Sequence, residues 1–253
     1  MDNILQRNTR FPIINAVINK LQEGKIIQVD HLRGDFFLII HKAGFSYFLT
    51  GDAGLSITDS YGVITGDGLP QYFHLYDPPS RLIEMCLMEN NIINTKLRSR
   101  LQLRYMHNSL IQSIEIPKGF YVKQISEADI ASLKIFNLLL EKKFWSSISD
   151  FLTNGFGYCV YTHDGKPASI CYSVCISNGL AEIDVATLPQ FQQMGLAKIA
   201  VSEFVHHCLR HNIVANWDCF KENTASLSTA SRIGFEQVFE YPFLSIFNKI
   251  KSA

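Results

Sequence analysis

Apolar positions along this chain alternate between two periods. In residues 9 to 22, Ile14, Val17, Ile18 and Leu21 recur three and four apart, which predicts a helix. The runs "KIIQVD", "FFLIIHK" and "FSYFLT" are β-branched or aromatic and are separated by "RGD", "AG" and "GDAG". Those are strand and turn signals. "DPPSRLIEMCLMEN" predicts a helix capped by Asp77 with Pro78 in its first turn. "RSRLQLRYM" alternates, with Leu101, Leu103 and Tyr105 on one face and Arg98, Arg100, Gln102 and Arg104 on the other. Because arginine usually stays exposed, the basic stripe is expected to be a solvated strand face; reading an acidic substrate is the alternative.

A new programme starts at Gly119, after the passage "HNSLIQSIEIPKG". "GFYVKQIS" predicts a strand, and residues 127–155 one or two helices. "GYCVYT", the turn "HDGK" and "ASICYSVCIS" predict an antiparallel hairpin. "LAEIDVAT" predicts a strand, "GLAKIAVSEFVHHCLRHN" a helix, "IVANWDCF" a strand and "TASLSTASRI" a helix stopped by Gly234. "FEQVFEYPFLSIF" supplies one or two final strands. A strand–helix–strand unit over 180–220 makes its two strands parallel neighbours. The expected organisation is therefore a smaller α+β N-terminal domain, 1–116, followed by an α+β or α/β domain, 117–253, with a mixed sheet flanked by helices.

Composition narrows the function classes. The chain has 253 residues, 47% of them hydrophobic and 18% charged, with 23 basic and 23 acidic residues. The balance holds on both sides of residue 116, so no half offers a nucleic-acid or anionic-membrane surface. Apolar runs such as "FFLII" and "IFNLLL" fall short of the roughly 20 residues of a membrane helix. The N-terminal stretch lacks the parts of a signal peptide, so a cytoplasmic location is expected. Six cysteines lie scattered in apolar segments without a CxxC, and buried free thiols are the better reading. A homodimer is compatible with this sequence but not readable in it.

"LPQFQQMGLAK" at 188–198 joins an apolar strand to an amphipathic helix. The first amides of a helix lack internal partners, and the helix dipole adds partial positive charge. Gly195 lets the backbone approach a ligand without a Cβ, and Ala197 keeps the next turn slim. Such a turn suits an anion. A dinucleotide fold would need a further glycine and an acidic residue some 20 positions on, and a P-loop would need GK[ST]. Neither is present. Glu203, His207 and His211 recur four apart on one helix flank, and Cys171 and Cys175 share a strand face. A histidine-decorated solvent flank and core packing account for them, and no metal site is expected.

Residues 185–250 resemble the acetyl-CoA-binding half of the GNAT acetyltransferase superfamily. The family's R/Q-x-x-G-x-G/A signature is matched by Gln192, Gln193, Met194, Gly195, Leu196 and Ala197, preceded by Pro189. Asn223 after the next strand and the Gly234-Phe235 pair complete the match. The resemblance implies that acetyl-CoA is the acyl donor, with its pyrophosphate against the amides from Gln193 to Lys198. Its pantetheine arm would lie along Val185, Ala186 and Thr187, with Asn223 and Ser226 on the far side. Glu182, sharing a strand face with Asp184, is the first choice of base, and Asp218 is the second. Many family members carry a tyrosine acid where this chain has Ala230; Tyr241 is a substitute candidate.

The layout, with "WDC" on the later strand, resembles the zwittermicin-resistance-like branch. It implies N-acetylation of a small amine acceptor in a cleft between the two domains, the first serving an acceptor-side or accessory role. A non-catalytic acyl-CoA sensor and an acyltransferase for longer chains remain alternatives.

Overall fold

The computed structural model describes residues 2–32, 34–51, 54–88, 93–106 and 114–249. In chain order the elements are α1 (Asp2–Leu5), α2 (Pro12–Ile18), β1 (Gly24–Val29), β2 (Phe36–His41), β3 (Phe45–Thr50), α3 (Ile57–Thr65), β4 (Tyr72–Tyr76), α4 (Ser80–Met88) and β5 (Ile93–Arg104). Next come β6 (Phe120–Gln124), α5 (Ile130–Leu133), α6 (Leu140–Lys143), α7 (Ile148–Asn154), β7 (Gly157–Thr162), β8 (Pro167–Ser177) and β9 (Leu180–Thr187). The chain closes with α8 (Leu196–Arg210), β10 (Val214–Phe220), α9 (Thr224–Ile233) and β11 (Glu236–Asn248). No helix among the described residues is long and apolar enough to cross a membrane.

The chain divides into two compact units, Met1–Arg100 with Glu240 onward, and Leu101–Phe239. The sequence placed this division at 116/117, with the whole C-terminus in the second part. What that reading lacked is the pairing of the end of β11 with β4, Phe243 opposite Tyr76 through Phe247 opposite Tyr72. Residues 107–113 of the expected passage lie outside the described residues.

In the first unit the strands run β1-β2-β3-β4-β11-β5. β1, β2 and β3 are antiparallel, β3 and β4 parallel, and β4 and β11 antiparallel. Phe36, Leu38, Ile40, Phe73, Leu75, Leu244 and Ile246 form one side's core with Tyr61 and Ile64 of α3 and Leu82 and Cys86 of α4. The helix expected over 9–22 is shorter. It starts at Pro12, whose fixed φ suits a first turn, and beyond its C-cap Asn19 the backbone turns left-handed at Lys20 (φ 58°). Asp77 does not cap α4, because it too is left-handed (φ 47°) and its amide donates to Pro242 O. A residue before proline is pushed out of the helical region, so the start moves past Pro78 and Pro79.

In the second unit the order is β5-β10-β9-β8-β7-β6. β6 through β9 are antiparallel neighbours, and β9 and β10 run parallel, as the sequence pattern requires. α8 buries Leu196, Ile199, Ala200, Val201, Phe204, Val205 and Cys208 against Leu101, Leu103, Ala181, Ile183, Ala215 and Trp217. α9 adds Ala230 and Ile233 to the same core. The helical stretch expected at 127–155 is broken into short pieces, with left-handed Asn137 (φ 50°) and Leu139 (φ 53°) between them.

Candidate active site

Two parallel strands part in the middle of the second unit. β9 and β10 pair at Leu180–Val214, Ala181–Ala215 and Glu182–Asn216, and the pairing stops there. On its other side β9 stays paired with β8 as far as Thr187 opposite Ser169. Leu188 N donates to Ala168 O at 3.0 Å, so by strand alternation Ala186 and Asp184 also direct their backbone groups to β8. Val185 and Thr187 then present theirs to the open edge. Among the described residues, Val185 N meets the neighbouring carboxylate alone, Asp184 Oδ1 at 2.9 Å. An extended ligand arm can add there as a further strand.

At the end of β9 the chain makes a 3-10 turn, Pro189–Phe191, and then two left-handed residues, Gln193 (φ 62°) and Gly195 (φ 77°). Gly195 is the N-cap of α8 and offers no side-chain cap. Ile199 N is the first helical amide bonded back, to Gly195 O at 3.4 Å. Among the described residues, the amides from Gln193 to Lys198 find no protein acceptor. Nothing lies within 4 Å of where a Gly195 Cβ would project. Leu196 is 1% exposed and anchors this turn in the core, while Gln192 Nε2 reaches back to Thr187 O at 3.4 Å. A run of amides without a protein acceptor at the positive end of a fifteen-residue helix, with open space beside Gly195, fits a pyrophosphate.

The sheet face away from α8 and α9 is polar near the parting. Glu182 Oε2 accepts from Asn216 Nδ2 at 2.6 Å, and Asn216 Oδ1 accepts from Arg104 Nε at 3.1 Å. Asp184 Oδ2 accepts from the Tyr172 hydroxyl at 2.6 Å. Burial, and then the Asp184 charge, push the Tyr172 hydroxyl well above its usual range, so it keeps its proton and donates. Asp218 is on the same face, two positions beyond Asn216, and half-buried. Cys175 of β8 is the register partner of Glu182 on β9, and burial, reinforced by the Glu182 charge, holds its thiol protonated.

Other residues singled out in the sequence have structural work here. Asn223 Oδ1 caps α9 by accepting from Ser226 N at 3.1 Å, and Ser226 Oγ accepts from Trp217 Nε1 at 2.9 Å. Ala230 is fully buried, so the position of the family's tyrosine holds no acid. Tyr241 is 1% exposed and packs on Phe11 and Tyr76 in the core of the first unit. His207 stacks between Phe156 and His211 and meets the Tyr158 hydroxyl at 3.2 Å. All six cysteines are buried.

The arginine stripe is not a solvated face. Arg98 and Arg100 are half-buried, Arg100 lies 4.9 Å over the Phe243 ring, Gln102 is 1% exposed, and Arg104 binds Asn216. Side chains of the flanking strands, Phe243 of β11 and Asn216 of β10, contact this face, and the planar guanidinium tolerates such contacts. Asn216 and Tyr172 were missed in the sequence. Their only signal was a position on a strand face shared with a carboxylate.

A profile of the GNAT acetyltransferase family matches residues 8–244. An uncharacterized N-acetyltransferase from Bacillus subtilis (strain 168), YdfB, is 33% identical over 142 residues, 56% of this chain and 54% of the relative. The chain thus matches about half the length of that curated relative. Among solved structures, a GCN5-related N-acetyltransferase-like protein from Streptococcus suis 89/1591 superposes with a TM-score of 0.71 at 17% identity, covering 95% of this chain and 94% of its own. A GCN5-related N-acetyltransferase from Sphaerobacter thermophilus gives 0.62 at 13% identity, covering 86% and 78%. At those identities the likeness establishes the fold.

Proposed function

Because this chain belongs to the GNAT acetyltransferase family, we propose that it moves an acetyl group from acetyl-CoA to the primary amine of a small acceptor. The observation that carries this reading is the run of unpartnered amides from Gln193 to Lys198, placed directly beyond the open edge of β9. When bound, acetyl-CoA supplies the acetyl group as an activated thioester. Gln193 to Lys198 receive its pyrophosphate, and Val185 and Thr187 offer backbone groups to its arm.

An amine with pKa about 10.4 is mostly protonated at neutral pH and attacks only when neutral. Glu182 takes the proton that the amine sheds, directly or through water. Asp184, two positions further along β9, accepts from the Tyr172 hydroxyl and from Val185 N. Asp218 is the second choice. No acid is required of this chain at the leaving sulfur, since a thiol of pKa about 8.5 parts readily as thiolate.

The buried Ala230 favours one other reading, an acyl-CoA-binding sensor without turnover. One assay separates them: release of free CoA from acetyl-CoA, and from longer acyl-CoA esters, with a panel of primary amines. Release that depends on both acetyl-CoA and an amine supports transfer. Binding of acetyl-CoA with no release for any amine makes the protein a sensor, and a preference for a longer ester changes the donor.

A further inference from the structure

Three side chains from three neighbouring strands of the second unit form a relay. Arg104 of β5 donates Nε to Asn216 Oδ1 at 3.1 Å, and Asn216 of β10 donates Nδ2 to Glu182 Oε2 of β9 at 2.6 Å. Asn216 is wholly buried. A guanidinium carries donors and no acceptor, so Arg104 dictates which end of the amide it meets. The oxygen faces Arg104, and the nitrogen is left to face Glu182. A carboxylate that accepts such a bond is favoured in its charged form, and burial strengthens both bonds. Asn216 and Glu182 are also the last paired residues before the two strands part, so the relay stands at the base of the opening.

We infer that Asn216 and Arg104 are positioning residues for acetyl transfer: Arg104 orients the Asn216 amide, and Asn216 holds the Glu182 carboxylate ionised and aimed as proton acceptor. This rests on the reading of Glu182 as the base. Among the described residues, the titratable and charged groups on the same face include Arg104, with Arg100 and Arg98 further back along β5, Asp218 of β10, Asp184 of β9, and Tyr172 and Cys175 of β8. Tyr172 and Cys175 stay protonated and neutral, so Arg104 is the cation of this set bonded to the relay.

Asn216→Asp tests the inference with little change of volume. It still gives Arg104 an oxygen but places a carboxylate where Glu182 had a donor. Carbon-13 NMR of the full chain with labelled glutamate follows Glu182, its resonance identified by its loss in Glu182→Gln. In N216D the Glu182 titration midpoint should rise by about one pH unit or more, as for carboxylates sharing a site. With acetyl-CoA and a primary amine that supports CoA release, the acid limb of the kcat/KM profile should move up likewise. The kcat at pH 7 should fall on the order of ten-fold or more, and KM for acetyl-CoA should change by less than about two-fold.

Arg104→Met should shift the midpoint in the same direction by less, and Arg104→Lys should restore most of it. This pair carries the test if N216D fails to fold. An unshifted midpoint, or a shifted midpoint with unchanged kcat, overturns the inference. A slow E182Q beside a wild-type-like N216D overturns the relay alone. A wild-type rate in E182Q removes Glu182 as base and the relay with it.

Discussion

Glu182 and Asp184 share one face of β9 yet meet different surroundings. Asp184 is tied down by a protonated phenol, whereas Glu182 is tethered through an amide at the base of the open edge. This contrast makes Glu182→Gln the informative substitution, because it keeps size and hydrogen bonding while removing the base. A positioned base contributes typically about 10²–10⁴-fold, so kcat/KM should drop by that range with acetyl-CoA affinity almost unchanged. Raising the pH should recover part of the loss by deprotonating the amine directly. An unchanged rate would pass the role to Asp218 or to water. Gly195 is the matching residue at the anion turn. Its φ of 77° costs a residue with a Cβ roughly 1–2 kcal/mol. Nothing within 4 Å would clash with that carbon, so Gly195→Ala should lower stability modestly through strain alone. Millimolar acetyl-CoA should raise the Tm of the parent, and Gly195→Glu, which adds a negative charge at the amides, should abolish that rise. A parent protein with no rise would sink the donor assignment itself.

At the scale of elements, what the sequence displayed was whatever local chemistry decides. The hairpin of β7 and β8, the strand–helix–strand unit from β9 to β10, and the turn into α8 each carry their own signals in adjacent residues. The break of residues 134–140 was hidden, since left-handed Asn137 and Leu139 carry no glycine to announce them. The arginine face of β5 misled because exposure is set by flanking strands, not by alternation. Asn216 was illegible for a similar reason, as its partner Glu182 is 34 residues away and meets it only through strand register. Asn223 shows a further limit, since one side chain can cap a helix and face a ligand. If capping is its work, Asn223→Ala should cost about 1 kcal/mol in a urea titration, with the acetyl-CoA-induced rise in Tm preserved. A normal urea midpoint with that rise lost would return Asn223 to the donor's arm.

For the molecule as a whole, histidines buried in the neutral form should make stability fall in acid. His41 is completely buried in the first unit, accepting Ala43 N on Nδ1 at 3.0 Å with Nε2 facing Gln22 Oε1 at 3.2 Å. The neutral ring with its proton on Nε2 satisfies both contacts, and a second proton on Nδ1 would meet the Ala43 N–H. Burial, with the neighbouring Lys42 charge, lowers His41 to about 3. Burial also lowers His74 to about 4, helped by Arg100 and Arg98, and His207 to about 4, helped by His211 and Arg210. Each folded value lies below the unfolded value of about 6.5, so below that pH the unfolded chain takes up protons that the folded chain refuses. The stability these groups contribute is complete above about pH 6.5 and is lost as pH falls toward 4 and then 3. For fully buried His41 the slope is about 1.4 kcal/mol per pH unit; His74 and His207, partly exposed, add less. Calorimetry from pH 7.5 to 4.5 should therefore show Tm nearly flat above pH 7 and falling steeply below 6. His41→Gln should lower Tm at pH 7.5, through lost packing, while making the decline below pH 6 shallower. A variant whose decline is as steep as the parent's would show that other groups carry the acid sensitivity.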